Sequence, residues 1–117
     1  MKAGDKAKRL RIYISSTDKH EHSPLYEVIV YAAREKGIAG ATVLRGIMGY
    51  GSSSEVYTSK LWEITEKVPL VVDIVDDPVK ISALLEALEP IFKKSGKGHI
   101  VTEEETTILL HRTGIKK

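Results

Sequence analysis

Two short glycine-rich segments carry the residue types with which a protein holds a charged small molecule. "GYG", from Gly49 to Gly51, sets two glycines around Tyr50. Glycine lets a backbone approach a ligand closely and turn its N–H groups on anionic oxygens, so a phosphate is a plausible guest. "SGKGH", from Ser95 to His99, repeats the pattern with a cation, Lys97, between Gly96 and Gly98. By itself this segment reads first as a helix stop with Gly96 as the left-handed cap, and it is the pairing with a second glycine-rich loop that points to a ligand. "GIMGYG" does not open a helix after a strand, so it is not a dinucleotide-binding fingerprint.

Other groupings point away from catalysis and metal chemistry. His20 and His22 form a His-x-His pair, but no further ligands stand at diagnostic spacing, so no metal site is expected. No Ser-His-Asp or paired-carboxylate arrangement follows from spacing, and Glu103 to Glu105 read as a solvated strand end. The absence of cysteine excludes disulfides and thiolate metal sites. The net charge is only +2, with cations and carboxylates interleaved, so no stripe suited to a nucleic-acid backbone emerges. No apolar run reaches membrane-spanning length, and the N-terminus lacks a signal peptide's apolar middle, so a cytoplasmic protein is expected.

The elements that must position these segments are legible from periodicity. "RLRIYIS" alternates Leu10, Ile12 and Ile14 against Arg9, Arg11 and Tyr13, the two-residue period of a half-buried strand. A helix follows, with Ser23 expected to cap, Pro24 in the first helical position, and Leu25, Val28, Ile29, Ala32 and Ala33 on one face as far as Gly37. "ATVLRGI" and "VPLVVDIV" read as strands. Asp77 and Pro78 start a second helix with Ile81, Leu84, Leu85, Leu88, Ile91 and Phe92 on one face, and Pro90 is expected to kink its last turn. "IVTEEETTILLHR" reads as a final strand with a polar centre, an edge or a bulge. Strand character carried on through residues 106–112 would set His111 beside Thr107 and Leu109, with Arg112 opposite.

The order strand, helix, strand, strand, helix, strand is the ferredoxin-like βαββαβ plan of the α+β class. It folds as one domain over residues 1–117, a four-stranded antiparallel sheet with two helices on one face. The open sheet face retains Val71 and Val75, which oligomerisation would cover. Roughly fifteen to twenty residues join strands two and three, far beyond a hairpin's usual connection. The loop is rich in glycine and serine yet carries Tyr50, Val56, Tyr57, Leu61 and Trp62. Such apolar surface suits contact with a partner, although Leu61 and Trp62 could equally pack beneath the loop's base.

Taken together, these segments resemble the PII-like signalling proteins, and in particular a short, uncharacterised PII-like subgroup with segments similar to "PLYE", "RGIMGYG" and "PLVVDIVD". "GIAGATV" looks like the family's lead into strand two, "GYG" like the base of its T-loop, and "EVY" like the Glu-Leu-Tyr within that loop. "GKGH" occupies the place of its B-loop, and "HRTG" that of its C-terminal arginine segment. The resemblance implies a trimer that binds an adenine nucleotide between subunits. It places Thr42 near the adenine, Gly49, Tyr50 and Gly51 at the loop base, Gly96, Lys97, Gly98 and His99 near the phosphates, and Arg112 as a further cation. The family's B-loop lysine is replaced by His99, its aspartate by Lys97, and one C-terminal arginine by Leu110. Arg45 and Lys97 could supply charge in their place, but the loss favours AMP or ADP over ATP. The implied function is non-enzymatic regulation: ligand shifts the T-loop, which presents Tyr57 and Trp62 to a protein target such as a transporter, channel or metabolic enzyme. The alternatives are a small nucleotide-handling enzyme and a structural trimer without ligand.

Overall fold

The computed structural model describes residues 1–51, 57–58 and 67–115, the backbone alone at 57–58. Strand β1 (Lys6–Ser15) leads through a turn into a two-residue ribbon, β2 (Lys19–His20) with β3 (Ser23–Pro24), and then α1 (Leu25–Glu35). Strand β4 (Ala41–Arg45) follows, then a second ribbon of β5 (Met48–Gly49) with β6 (Tyr57–Thr58). Strand β7 (Pro69–Asp76), helix α2 (Pro78–Ser95) and strand β8 (Ile100–Thr107) complete the chain. The main sheet has the order β4-β7-β1-β8 and every neighbouring pair is antiparallel, which is the ferredoxin-like arrangement.

Alternation decides which residues enter the core. Leu10, Ile12 and Ile14 of β1 and Leu70, Val72 and Ile74 of β7 face the helices. They meet Leu25, Ile29 and Ala33 of α1 and Ile81, Leu84 and Leu88 of α2. Each fully buried leucine or isoleucine contributes about 1.5–3 kcal/mol. Buried Asp76 ties this layer to the chain leading into β4, because its carboxylate accepts the N–H of Ala39 at 2.8 Å and that of Asp77 at 2.6 Å.

The helix boundaries follow local chemistry, with one displacement. Helix α2 begins as expected: the Asp77 carboxylate accepts the Lys80 N–H at 2.9 Å, and Pro78 follows it. It runs through Pro90 and stops at Gly96, which is left-handed at φ +70°. Helix α1 starts one residue later than expected. Ser23 and Pro24 are held in the β2–β3 ribbon, so Pro24 is the cap residue and makes no side-chain cap bond.

β8 is an edge strand, paired on one side only, and it ends at Thr107. The expected strand character of residues 108–112 is therefore corrected. Past Thr107 the chain leaves β1 after mutual bonds in which Ile108 donates to the Asp5 carbonyl and accepts from the Gly4 N–H, and His111 and Arg112 lie beyond it in neither helix nor strand.

Candidate functional site

The antiparallel registers gather four connections at one end of the sheet. Ser15 pairs with Pro69, Tyr13 with Ile100 and Arg45 with Leu70. The turn after β1, the 46–51 segment, the residues before β7 and the 95–99 turn must therefore be neighbours. They enclose a cavity of about 640 Å³, within the size range of small-molecule sites.

Both glycine-rich segments line this one cavity: Gly49, Tyr50 and Gly51 on one side, and Lys97, Gly98 and His99 on the other. Tyr13, Met48, Leu70, Val71 and Ile100 supply apolar wall, and among the described residues Lys67 and Lys97 are its cations and Asp18 its carboxylate. Such a mixture suits a flat heterocycle bearing an anionic group.

The loop limbs that frame the cavity are rooted on Pro69 and Val68. Gly46 donates its N–H to the Pro69 carbonyl at 2.8 Å, and β5 pairs with β6 through Met48 opposite Thr58 and Gly49 opposite Tyr57. On the returning limb the Ser16 N–H donates to the Val68 carbonyl at 2.9 Å, and the Val68 N–H donates to Ser16 Oγ at 2.9 Å. The glycines thus differ in use. Gly49 packs against the Pro69 ring, whereas a Cβ at Gly51 would meet nothing within 4 Å among the described residues.

The His99 ring is packed rather than exposed. Its side chain is 5% exposed, its ring centroid lies 5.1 Å from that of Phe92, and its Nε2 lies 3.6 Å from Asp18 Oδ2. Asp18 is held in turn by the Ser15 N–H, which donates to Oδ2 at 2.9 Å.

The remaining expected site residues lie elsewhere. Thr42 and Arg112 line a second cavity, also about 640 Å³, at the opposite end of the open sheet face with Arg9, Asp73 and His111. Arg45 ends β4 and Gly96 caps α2, and neither lines either cavity. The backbone of Tyr57 is paired in the ribbon, and Trp62 lies outside the described residues. Among the described residues no cluster of three or more potential metal ligands occurs, and His20 and His22 belong to the β2–β3 hairpin. Sequence reasoning missed Asp18, Gly46, Lys67 and Pro69. The run "SSTD" after β1 is a turn signature that could have pointed to Asp18.

On the open face, Arg9 Nε donates to both Asp73 oxygens, at 2.9 and 3.2 Å, and its Nη2 also bonds Oδ2. The hydrogen bonds from Arg9 hold the Asp73 carboxyl below its ordinary value; partial burial opposes this, and the charges of Arg9 and Arg11 add to it.

This architecture and sequence have counterparts among known proteins. The DUF190 family, described as "Uncharacterized ACR, COG1993", matches residues 7–107. A UPF0166 protein of Aquifex aeolicus is 37% identical over 105 residues, covering 90% of this chain and 96% of its own. Among solved structures, CPII from Thiomonas intermedia K12 superposes with a TM-score of 0.68 at 18% identity, over 91% of each chain. It is a nitrogen regulatory PII-like protein bound to ADP, AMP and bicarbonate. A PII-like signalling chain from Thermus thermophilus superposes with a TM-score of 0.66 at 16% identity, over 93% of this chain and 94% of that one. The fold is thus that of the PII-like proteins.

Proposed function

The chain belongs to the DUF190 family, and on that premise we propose that it is a non-enzymatic, PII-like regulator that binds an adenine nucleotide and signals through the long loop between β4 and β7. One observation carries this reading. The two glycine-rich segments, far apart in sequence, line a single cavity with apolar walls and two lysines. The adenine ring would lie against the apolar wall, with its phosphates toward the backbone of Gly49 to Gly51 and of Lys97 to His99. CPII, with the same fold, binds ADP and AMP.

The site is shared between subunits in this reading. Thr42 and Arg112 lie at the far end of the open face, so they would complete the cavity of a neighbouring copy rather than their own. A trimer closed through the open sheet faces supplies such neighbours and covers Tyr13, Leu44 and Val71. AMP or ADP is favoured over ATP because the His99 ring is packed against Phe92 and Asp18, which among the described residues leaves Lys67 and Lys97 as the cavity's own lysines.

Ligand phosphates would bias the loop limbs rooted at Gly46 and Val68, and residues such as Tyr57 and Trp62 would then be offered to, or withheld from, a cytoplasmic protein target, possible classes being a transporter, a channel or a metabolic enzyme. No described helix is long and apolar enough to cross a membrane.

Calorimetry with AMP, ADP and ATP, together with sedimentation equilibrium, tests the reading. Binding of AMP or ADP tighter than ATP by a trimer supports it. A monomer at micromolar concentration removes the shared site, and measurable turnover of ATP or a cyclic nucleotide overturns the non-enzymatic assignment.

A further inference from the structure

Among the described residues, His99 Nε2 is the buried side-chain polar atom left without a hydrogen-bond partner. It stands 3.6 Å from Asp18 Oδ2, with the two side chains 5% and 7% exposed. That separation is just beyond hydrogen-bonding distance. In a neutral ring with its proton on Nδ1, Nε2 directs a lone pair at a carboxylate. In the imidazolium both nitrogens donate, and the same contact becomes a charge-assisted bond.

Asp18 connects this contact to the long loop. Its turn is closed by its own N–H, which donates to the Ser15 carbonyl at 3.1 Å, and by the Leu25 N–H, which donates to the Asp18 carbonyl at 2.8 Å. Ser16, within the same turn, holds both the N–H and the carbonyl of Val68 on the loop's returning limb. His99 follows directly on Lys97 and Gly98 in the cavity wall.

We propose that His99 and Asp18 form a proton-operated latch: proton uptake at His99 draws its ring onto Asp18, locks the 95–99 turn against the root of the long loop, and strengthens binding of a phosphate-bearing ligand in the cavity. The ligand half of this inference rests on the nucleotide reading above. The ionisable groups that line the cavity with His99 are Asp18 in the turn after β1, Lys67 ahead of β7 and Lys97 in the same turn. Tyr13 of β1 also lines the cavity. On α2, which supplies Phe92, Lys93 and Lys94 lie in the last turn, and Lys94 is 3.5 Å from Glu21 of the hairpin. An anionic ligand offsets the lysines, so proton and ligand reinforce one another by the same factor. Histidine is the side chain whose ordinary titration falls in the physiological range.

Two measurements test the latch on the intact chain. In ligand-free protein, an NMR pH titration should show the His99 ring, the Ser15 amide and the Val68 amide moving with a common midpoint, and Asp18→Asn should uncouple the amides from the ring. In calorimetry, the ratio of wild-type to His99→Gln affinity for ADP should fall about fivefold or more between pH 6 and pH 8, a typical coupling. The phosphate's own titration is common to both proteins and cancels in that ratio. If ADP binds but the ratio stays flat, or if the His99 ring titrates without the two amides, the latch is overturned while the nucleotide reading stands. If no nucleotide binds at any pH, that reading fails and the ligand linkage fails with it.

Discussion

Gly46 lies so close to Pro69 that a Cβ on it would stand 2.8 Å from the proline Cγ and 3.3 Å from the proline carbonyl oxygen. The same glycine donates its N–H to that carbonyl, so the outgoing limb of the long loop is pinned to the start of β7. Gly46→Ala therefore forces the proline ring and its backbone apart, and overpacking of this kind costs typically about 1–3 kcal/mol. Urea unfolding should show this loss, with Gly51→Ala as a control that shifts stability by no more than about 0.5 kcal/mol. Equal stability of Gly46→Ala and wild type would remove Pro69 as the anchor of the loop.

Periodicity made the sheet and its core legible. The alternation of Leu10, Ile12 and Ile14 and of Leu70, Val72 and Ile74 names the buried face directly, and Asp77 with Pro78 marks the start of α2. The site was legible only in part, because a repeat encodes which face is buried and not which turns become neighbours. The opposition of Tyr13 and Ile100 brings Asp18 to His99, and no local pattern contains that register. His99 follows a glycine and looks exposed in sequence, yet its ring packs on Phe92 of the preceding helix. Thr42 and Arg112 likewise reveal their distance from the glycine-rich cavity only once the strand directions are set.

Glu21 holds φ at +59° in the two-residue turn between His20 and Ser23. A left-handed residue with a Cβ costs roughly 1–2 kcal/mol, and asparagine tolerates the region better. Glu21 gives its carboxylate to Lys94 at 3.5 Å, an exposed pair that contributes about 0–1 kcal/mol. Glu21→Asn should thus raise stability by a few tenths to about 1 kcal/mol. Lys94→Ala measures the ion pair separately, and a destabilised Glu21→Asn would show that the pair outweighs the strain.

Asp73 gives the open sheet face a defined response to acid. Its folded pKa is lowered from 3.8, first by the hydrogen bonds from Arg9. A depressed carboxylate stabilises the fold above its unfolded value, and that contribution is lost as pH falls through the folded one. Stability should accordingly drop below about pH 4, and Asp73→Asn should flatten the drop while lowering stability at neutral pH. An unchanged acid limb in Asp73→Asn would place the acid sensitivity elsewhere.

Gly51 offers the most direct test of the cavity. The backbone is not left-handed at this position, and a Cβ meets nothing within 4 Å among the described residues. Gly51→Val should fold with wild-type stability while its branched side chain intrudes on the ligand's approach, so nucleotide affinity should fall steeply in calorimetry. Tyr57→Ala, assigned to output, should leave that affinity unchanged. Normal nucleotide binding by Gly51→Val would separate the "GYG" segment from ligand recognition.

Arg112 tests whether the site is shared. It lies in the cavity at the far end of the sheet from Gly51, so in the proposed trimer its charge can act only on a neighbour's ligand. Arg112→Ala should lower nucleotide affinity about ten- to a hundred-fold, the worth of one charge-assisted contact, with the trimer intact. Mixing decides between a shared and a private site. In a cyclic trimer built at random from Arg112→Ala and Gly51→Val subunits, some interfaces pair an intact "GYG" cavity with an intact Arg112, and about a quarter of all sites should regain full affinity. A site contained within one chain would recover nothing on mixing, because every cavity would still carry one of the two defects. Calorimetric stoichiometry of the refolded mixture reads the difference, and a recovered fraction near zero in an intact trimer would return Arg112 to a structural role.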